Sequence, residues 1–368
     1  MEPSATDEVL IRREGRAGRI TMNRPKALNA LTYAMVGRIW DALVAWQTDP
    51  AVELVLLDGA GDRALCAGGD VRTLYDSRTN GSGFARTFWR DEYRLNALIG
   101  RYPKPYVAVM DGIVMGGGIG LSAHGDHRIV TERSRLAMPE TGIGLIPDVG
   151  GTWLLSHAPD RRGMSTETGT YLALTGQQFN GIEALDLGFA NTLIMSARLP
   201  DALSEMIADG YPDGVMIRNN STIDEGPRSS LFDLAPVIDA AFSFDRVEDI
   251  LVALEGMSGD WAVKTLADLR SKSPLALKLT LEALRRARNF VSLEETLNME
   301  YRLTVRLYEH GEFLEGVRAL IVDKDKAPHW NPPQLEAVTP AIVDAFFKPL
   351  PAEEELGLKP DGPSKLWT

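Results

Sequence analysis

Residues 104–120, KPYVAVMDGIVMGGGIG, are a short apolar run that ends at Asp-Gly and is followed by a glycine cluster. An apolar run of this length before a turn signal predicts a buried strand. VELVLLDGAG (52–61) has the same form, and YAMVGRIWDALVAWQTDP (33–50) has the apolar spacing of an amphipathic helix that stops at Pro50. Alternation of strands and helices predicts an α/β core.

The two ends of the chain differ in pattern. EVLIRREGRAGRITMN (8–23) predicts a β-hairpin around a glycine turn. From about residue 200 onward helical spacing dominates, so we predict a core over residues 1–200 and a helical region with a tail over 201–368. Within that second part we expect a loop at 210–230 and a polar, proline-containing tail after Pro328.

Composition narrows the class of protein. The chain has 368 residues, a formal net charge of −12 and one cysteine, Cys66. The charge argues against a nucleic-acid surface, and a single cysteine leaves no internal disulfide or cysteine-cluster metal site. No apolar run approaches the ~20 residues of a membrane span. The acidic N-terminus lacks a signal-peptide pattern, so we expect a cytoplasmic location.

Three glycine clusters occur at 65–70 (LCAGGD), 115–120 (MGGGIG) and 148–151 (DVGG). Plain tight turns would explain any one of them. A dinucleotide-binding fingerprint does not fit, because its third glycine would fall on Leu121 or Ala123, and no GK[ST] triplet completes a phosphate loop. Two glycine turns can also present one N–H each to a single carbonyl oxygen, which makes an oxyanion hole.

Two acids, Glu140 and Asp148, lie in the apolar segment MPETGIGLIPDVGG (138–151). On an unbroken helix they would be about 12 Å apart, but the glycines and Pro147 favour a bent loop that brings them together. Two simpler interpretations remain open. Asp148 could cap the helix that follows, and Glu140 could be a solvated loop residue.

These motifs together resemble the crotonase (enoyl-CoA hydratase/isomerase) superfamily, and the resemblance is strongest to its 3-hydroxyisobutyryl-CoA hydrolases. The resemblance to the superfamily rests on the order AGGD, MGGG and PE…PD.GG, together with NRPKALNAL at 23–31. The resemblance to the hydrolases extends nearly to the C-terminus. It rests on FWRDEYRLN (88–96), SPLALKLTLEAL (273–284) and MEYRLTVRLYEHGEFLEGVRALIVDKDKAPHW (299–330). The resemblance implies a ββα spiral core with a helical C-terminal extension.

The resemblance also implies roles for single residues. Gly69 and Gly117 match the oxyanion-hole positions. Glu140 matches one of the two glutamates of the hydratases, whereas Gly120 stands where the other would be. Asp148 matches an acid of the hydrolases, at a position where the hydratases usually have a small residue. A further substrate-contacting acid of the hydrolases matches Glu92.

This set of residues favours thioester hydrolysis over hydration of a double bond. Hydrolysis needs an oxyanion hole and an acidic residue that attacks the carbonyl carbon or activates water, and Glu140 fits that role. Asp148 and Glu92 would orient the water or bind a substrate hydroxyl. The expected substrate is a short branched β-hydroxyacyl-CoA, most simply 3-hydroxyisobutyryl-CoA of valine breakdown, without a further cofactor. An enoyl-CoA hydratase or isomerase and a non-catalytic acyl-CoA-binding protein remain alternatives.

Several other residues have side chains that could serve in binding or catalysis. Arg24, Lys26 and Arg72 flank the first glycine turn and the N-terminal motif, where CoA phosphates would attract cations. His124 and His127 lack a third metal ligand, so we expect no metal. Ser122, His124 and Asp126 are spaced too closely for a catalytic triad, and Cys66 is expected to fill the core. Family resemblance also implies a homo-oligomer, as a trimer or hexamer.

Overall fold

A computed structural model describes residues 7–79, 83–161, 164–220 and 230–360. The strands are β1 (Val9–Glu14), β2 (Ala17–Met22), β3 (Leu54–Gly59), β4 (Ala64–Cys66), β5 (Tyr106–Met110), β6 (Ile113–Met115), β7 (His127–Val130), β8 (Arg135–Ala137), β9 (Phe179–Asn180) and β10 (Thr192–Leu193). The helices of the first half are α1 (Tyr33–Thr48), α2 (Val71–Ser77), α3 (Phe84–Gly100), α4 (Gly117–Ser122), α5 (Gly151–Arg161), α6 (Thr166–Thr175) and α7 (Gly181–Asp186). Those of the second half are α8 (Leu199–Asp209), α9 (Pro212–Asn219), α10 (Leu231–Phe242), α11 (Val247–Gly256), α12 (Asp260–Ser271), α13 (Pro274–Ala287), α14 (Leu293–His310), α15 (Glu312–Val317) and α16 (Pro340–Phe347).

The strands form two sheets, in the orders β1-β2-β3-β5-β7-β10 and β4-β6-β8-β9. Consecutive strands from β3 to β8 alternate between the sheets, and each pair is followed by helical structure. The first sheet is parallel from β2 through β10, and β1 joins it as an antiparallel hairpin partner of β2. This is the ββα arrangement implied by the resemblance, and the α/β prediction is confirmed.

Local sequence explains the elements of the first half. α1 begins where the Thr32 hydroxyl accepts a hydrogen bond from the Met35 amide, and it ends at Thr48, just before Asp49 and Pro50. β3 and β5 are buried on both faces, as expected of central strands in a parallel sheet. β3 and β5 are followed by β4 and β6 of the second sheet, and the glycine turns come directly after these two strands.

The C-terminal helices are an integral part of the core. α13 packs on α5 and α6, and α14 packs on α3, α5 and α15. One cluster of buried apolar side chains contains residues from both halves, including Ile119, Trp153, Leu297 and Phe313. Whether residue 200 is a domain boundary stays a prediction. No helix in the described ranges has the length and apolar character that crossing a bilayer requires.

Two expectations for the second half are wrong. The predicted loop at 210–230 contains α9, which starts at Pro212 and buries Val215 and Met216. The rest of that prediction, at 221–229, lies outside the described residues. The tail after Pro328 contains α16, whose Phe346 and Phe347 are buried, so apolar burial outweighs the high polar and proline content there.

Candidate active site

The two glycine turns lie side by side between the sheets. The first turn, after β4, is fixed by a bridge in which the Leu31 amide donates to Gly68 and the Asp70 amide donates to Leu31. The second turn follows β6 and begins α4. A Cβ atom at Gly117 would lie 3.3 Å from the Gly69 amide nitrogen, so the two turns are in close contact.

The backbone amides of these turns are suited to bind an oxygen anion. Gly117 is the first residue of α4, and the amides of a first helical turn have no partner within the helix. Among the described backbone contacts between elements, the Gly69 amide donates to no carbonyl. The structure therefore brings together the two residues expected to form the oxyanion hole, while that role stays a prediction.

The three expected acids line the same cavity as these turns. The cavity has a volume of about 320 Å³ and contains Glu92, Glu140 and Asp148 together with Gly69 and Gly117 in its wall. The acids are 2%, 5% and 5% exposed, respectively. The interpretation of Glu140 as a solvated loop residue is therefore wrong.

Each glutamate has an oxygen directed at a glycine turn. A Cβ at Gly117 would lie 2.7 Å from Glu92 Oε1, and one at Gly116 would lie 2.9 Å from Glu140 Oε1. Glycine at these positions therefore makes room for the carboxyl groups. Glu92 Oε1 and Glu140 Oε2 have no hydrogen-bond partner among the described residues.

Asp148 differs from the glutamates because its carboxyl group accepts a hydrogen bond. The Tyr93 hydroxyl donates to Asp148 Oδ2 over 2.6 Å, and the same hydroxyl lies 2.8 Å from Thr304 Oγ1. Tyr93 is on α3, one residue after Glu92, and Thr304 is on α14. Two helices from opposite halves of the chain thus hold one carboxyl group.

The pKa values follow from these surroundings. Burial raises the pKa of Glu92 and of Glu140 well above the usual 4.5, and the charge of Asp148 raises both further. Burial also raises the pKa of Asp148, but only to about 6, because the Tyr93 hydrogen bond favours the ionised form. Burial and the Asp148 charge therefore favour the protonated form of both glutamates, whereas the Tyr93 hydrogen bond favours the ionised form of Asp148.

Glu300 of α14 is a further buried acid next to this site, and the sequence patterns did not indicate it. Its Oε2 accepts from the Gly150 amide at 2.7 Å, and its Oε1 accepts from the Thr152 amide at 2.9 Å and hydroxyl at 2.6 Å. Burial raises the pKa of Glu300 to about 8 despite these donors. The carboxyl oxygens of Glu300, rather than those of Asp148, thus accept hydrogen bonds from Gly150, just before α5, and from Thr152 in its first turn.

Position 120 has no room for a side chain. A Cβ there would lie 2.7 Å from the Val149 Cβ and 2.8 Å from Asn96 Nδ2. Neither neighbour is the end of a long flexible chain, so a glutamate at this position would displace the turn that carries Asp148. The packing of Val149 and Asn96 around position 120 therefore excludes the hydratase-type glutamate.

The remaining wall is largely apolar and comes from both halves of the chain. Trp89 of α3 and Phe313 of α15 pack edge to face at 5.7 Å, and both line the cavity. Leu320 and Ile321 complete the wall from the π-helical turn Arg318–Val322. The C-terminal region thus forms one side of the pocket, which suits an acyl group or pantetheine chain.

The cations expected to bind CoA lie outside the cavity wall. Arg24 contacts Asp70 at 3.1 Å and Glu8 at 3.2 Å. Arg72 pairs with Asp76 at 2.9 Å, and Lys26 is exposed beside the first turn. Arg24 reaches the first glycine turn through Asp70, whereas a role for any of these cations in binding phosphate stays a prediction.

The other candidates have structural roles. Cys66 is buried, and burial raises the pKa of its thiol to about 12. Ser122 donates to the Gly118 carbonyl, while His124 Nε2 lies 2.7 Å from the Val149 carbonyl, so they do not form a triad. In the described ranges, no group of three or more histidine, cysteine or acidic side chains could hold a metal ion.

With this site in view, the comparisons define the class of protein. Residues 17–347 match the enoyl-CoA hydratase/isomerase family, and the chain belongs to it. Curated relatives named 3-hydroxyisobutyryl-CoA hydrolase are 41% identical in Gallus gallus and 38% identical in Homo sapiens. Each alignment covers 94% of this chain and 90% of the relative.

Solved structures confirm the fold. A carnitinyl-CoA dehydratase from Mycobacterium thermoresistibile is 44% identical, with a TM-score of 0.89 over 95% of this chain and 98% of its own. An enoyl-CoA hydratase from Rhodobacter sphaeroides 2.4.1 is 42% identical, with a TM-score of 0.88 over 96% and 100%. The crotonase fold with C-terminal helices is therefore confirmed.

The expected cytoplasmic location is wrong. The hydrolases from Gallus gallus, Xenopus tropicalis and Homo sapiens are all named as mitochondrial proteins. The expectation rested on the sequence of the N-terminus and on cysteine content, neither of which identifies the compartment of a protein in this family.

Proposed function

We propose that this protein is an acyl-CoA thioester hydrolase that converts 3-hydroxyisobutyryl-CoA and water into 3-hydroxyisobutyrate and CoA, as in valine catabolism. One observation carries the proposal: three buried acids, Glu92, Glu140 and Asp148, share a cavity with two glycine turns, and position 120 is closed. The names of the curated relatives support the same substrate.

The reaction begins with binding of the thioester oxygen. The amides of Gly69 and Gly117 donate to this oxygen and stabilise the negative charge that develops on it. Removing one such donor from an acyl-transfer enzyme typically costs about 10²–10³ in kcat. The apolar wall that includes Trp89 and Phe313 excludes water from the remaining surface of the substrate.

Glu140 then acts on the carbonyl carbon. Transfer of its proton to Asp148 leaves Glu140 ionised, with Oε1 beside the second glycine turn and Oε2 without a hydrogen-bond partner among the described residues. Glu140 attacks the carbon, or removes a proton from a water that attacks it. The C–S bond breaks, and the CoA thiolate takes the proton from Asp148. On the first route, water then hydrolyses the mixed anhydride: one of its protons returns to Glu140, and its hydroxyl group leaves with the product acid.

Glu92 has a separate part in this proposal. Burial raises its pKa and favours the protonated carboxyl group, which lies beside Gly117 with Oε1 free of partners among the described residues. A protonated carboxyl group can both donate to and accept from an alcohol. We assign Glu92 to the β-hydroxyl group of the substrate, so that it contributes to selectivity for hydroxyacyl groups.

Hydration of an enoyl-CoA is the second candidate, because the two most similar solved structures described above are named as a dehydratase and a hydratase. Gly120 disfavours it, since the packing by Val149 and Asn96 leaves no room for the second glutamate. One assay separates the two functions: release of free thiol from 3-hydroxyisobutyryl-CoA against loss of the conjugated double bond of crotonyl-CoA. Efficient hydration without thiol release would overturn the proposal.

Binding of CoA and assembly complete the proposal. We assign Arg24, Lys26 and Arg72 to the CoA phosphates, since they surround the first glycine turn. The test is a rise in KM for the acyl-CoA, at constant kcat, when Lys26 is replaced by alanine. The trimer or hexamer implied by the family is tested by light scattering on the purified chain, and a monomer would contradict it.

A further inference from the structure

The turn after Asp148 has an unfavourable backbone conformation at Val149. Val149 has a φ of +54° and Gly150 has a φ of +82°. A β-branched residue rarely adopts the left-handed conformation, because its Cβ crowds the adjacent carbonyl group. Other contacts must therefore hold this turn in place, and they determine where the Asp148 carboxyl group lies.

Two side chains contact the backbone of this turn. His124 contacts the Val149 carbonyl at 2.7 Å. Glu300 accepts from the Gly150 amide and from the amide and hydroxyl of Thr152. Glu300 is fully buried and accepts from three donors, so it makes more hydrogen bonds to the turn than His124 does.

The helix that carries Glu300 also reaches the carboxyl group itself. Thr304 lies one helical turn after Glu300, so both side chains project from the same face of α14. Thr304 Oγ1 contacts the Tyr93 hydroxyl, which donates to Asp148. One face of α14 therefore holds both the backbone of the turn and, through Tyr93, the carboxyl group.

We propose that Glu300 is a positioning residue for thioester hydrolysis: it fixes the 148–152 turn so that Asp148 faces Glu140 and the glycine turns. Glu300 itself does not line the cavity and acts through the Gly150 and Thr152 contacts. This inference rests on the proposed function. It adds a residue from the C-terminal helices to the catalytic arrangement.

The test begins with Glu300→Gln. The two oxygens of Glu300 accept from different donors. A glutamine has an NH2 group in place of one oxygen, so this group would face an N–H or O–H donor and that hydrogen bond would be lost. We expect kcat for thiol release to fall at least tenfold, with KM within twofold of the wild type. Thr152→Ser, which keeps the hydroxyl donor, should retain more activity than Thr152→Val, which removes it.

Glu294→Gln is the matched control. Glu294 is also a buried glutamate of α14, but its carboxylate pairs with Arg101. We expect a lower melting temperature and a kcat within twofold of the wild type. An equal loss of kcat in both glutamine variants, or a change of Glu300→Gln confined to KM, would overturn the inference.

Amide hydrogen exchange separates this inference from the proposed function. We expect the Gly150 and Thr152 amides to exchange at least tenfold faster in Glu300→Gln than in Glu294→Gln. If the wild type releases no thiol, the proposed function fails, yet exchange still reports whether Glu300 holds the turn. Unchanged exchange would refute the positioning role whatever the activity, and Thr152→Val provides the same measurement if Glu300→Gln does not fold.

Discussion

Tyr93 and Asp148 are joined by a 2.6 Å hydrogen bond, although they lie on α3 and on the turn before α5. This bond distinguishes Asp148 from the two cavity glutamates. It favours the ionised carboxyl group and keeps the pKa of Asp148 at about 6, while burial raises those of Glu92 and Glu140 well above 4.5. The Tyr93 hydroxyl thus favours ionisation of Asp148.

Tyr93→Phe should therefore change the pH dependence of the reaction. Loss of the donor raises the pKa of Asp148, because the ionised form loses its hydrogen bond. The wild-type rate should fall as the pH drops through about 6, and in the variant this fall should begin at a higher pH. The measurement is kcat against pH from 5 to 9, and an unshifted acidic limb would contradict the charge assignment.

Glu140→Gln should abolish turnover without weakening the fold. The variant lacks the group that attacks or activates water, so we expect kcat to fall by about 10³ or more. It also removes a buried carboxyl group whose Oε2 has no partner among the described residues, so the melting temperature at pH 8 should be equal or higher. Thiol release and thermal unfolding measure the two effects, and retained activity would overturn the role of Glu140.

Gly117→Ala tests the room at the second glycine turn. The added methyl group would lie 2.7 Å from Glu92 Oε1 and 3.3 Å from the Gly69 amide nitrogen. We expect at least a hundredfold loss of kcat/KM, since both the carboxyl group and the amide must move. Gly37→Ala on α1 is the control: nothing lies within 4 Å of its added Cβ, and removing a helical glycine should stabilise the fold by about 0.5–1 kcal/mol.

Gly120→Glu should not convert the protein into a hydratase. The new side chain would meet Val149 and Asn96 and displace the turn that carries Asp148. We expect loss of thiol release and no gain of crotonyl-CoA hydration, measured side by side. Gain of hydration would mean that the site tolerates the hydratase glutamate and that packing does not determine the reaction.

Stability should fall with rising pH because of Glu300. Its pKa is raised from 4.5 to about 8 by burial, so the folded state binds this proton more tightly than the unfolded state does. The stabilisation is complete below pH 4.5 and is lost as the pH rises through about 8. Each pH unit between these values costs about 1.4 kcal/mol. Denaturant unfolding at pH 6 and 8 should show this loss for the wild type and less of it for Glu300→Gln.

Local patterns in the sequence were sufficient to predict several strands of the first sheet and the helix α1. The hairpin of β1 and β2, the buried strands β3 and β5, and the helix that ends before Pro50 all have short-range signals. Glu92, Glu140 and Asp148 were found by resemblance, and the structure places them in one cavity. The segment containing α9 was missed because its glycine and proline content indicated a loop, whereas tertiary burial of Val215 and Met216 favours a helix.

Glu300 was missed for a different reason. In SLEETLNMEYRLTVRLYEH an acidic residue on a helix is normally solvent-exposed, and several other acids surround it. A signal was nevertheless present. Position 300 is seven residues after Leu293 and three after Leu297, so it lies on the apolar face of the helix. An acid on such a face needs buried partners, but the partners are 150 residues away in the chain.

That separation has a consequence for synthesis of the protein. When residues 1–200 have left the ribosome, Glu140, Asp148 and both glycine turns exist, but the helix that fixes the 148–152 turn has not been translated. Domains generally form as their residues become available, and contacts this distant in sequence form late. If Glu300 fixes the turn, we expect the nascent chain to gain activity towards acyl-CoA only when α14 docks, and a prematurely terminated product to leave cellular thioesters intact.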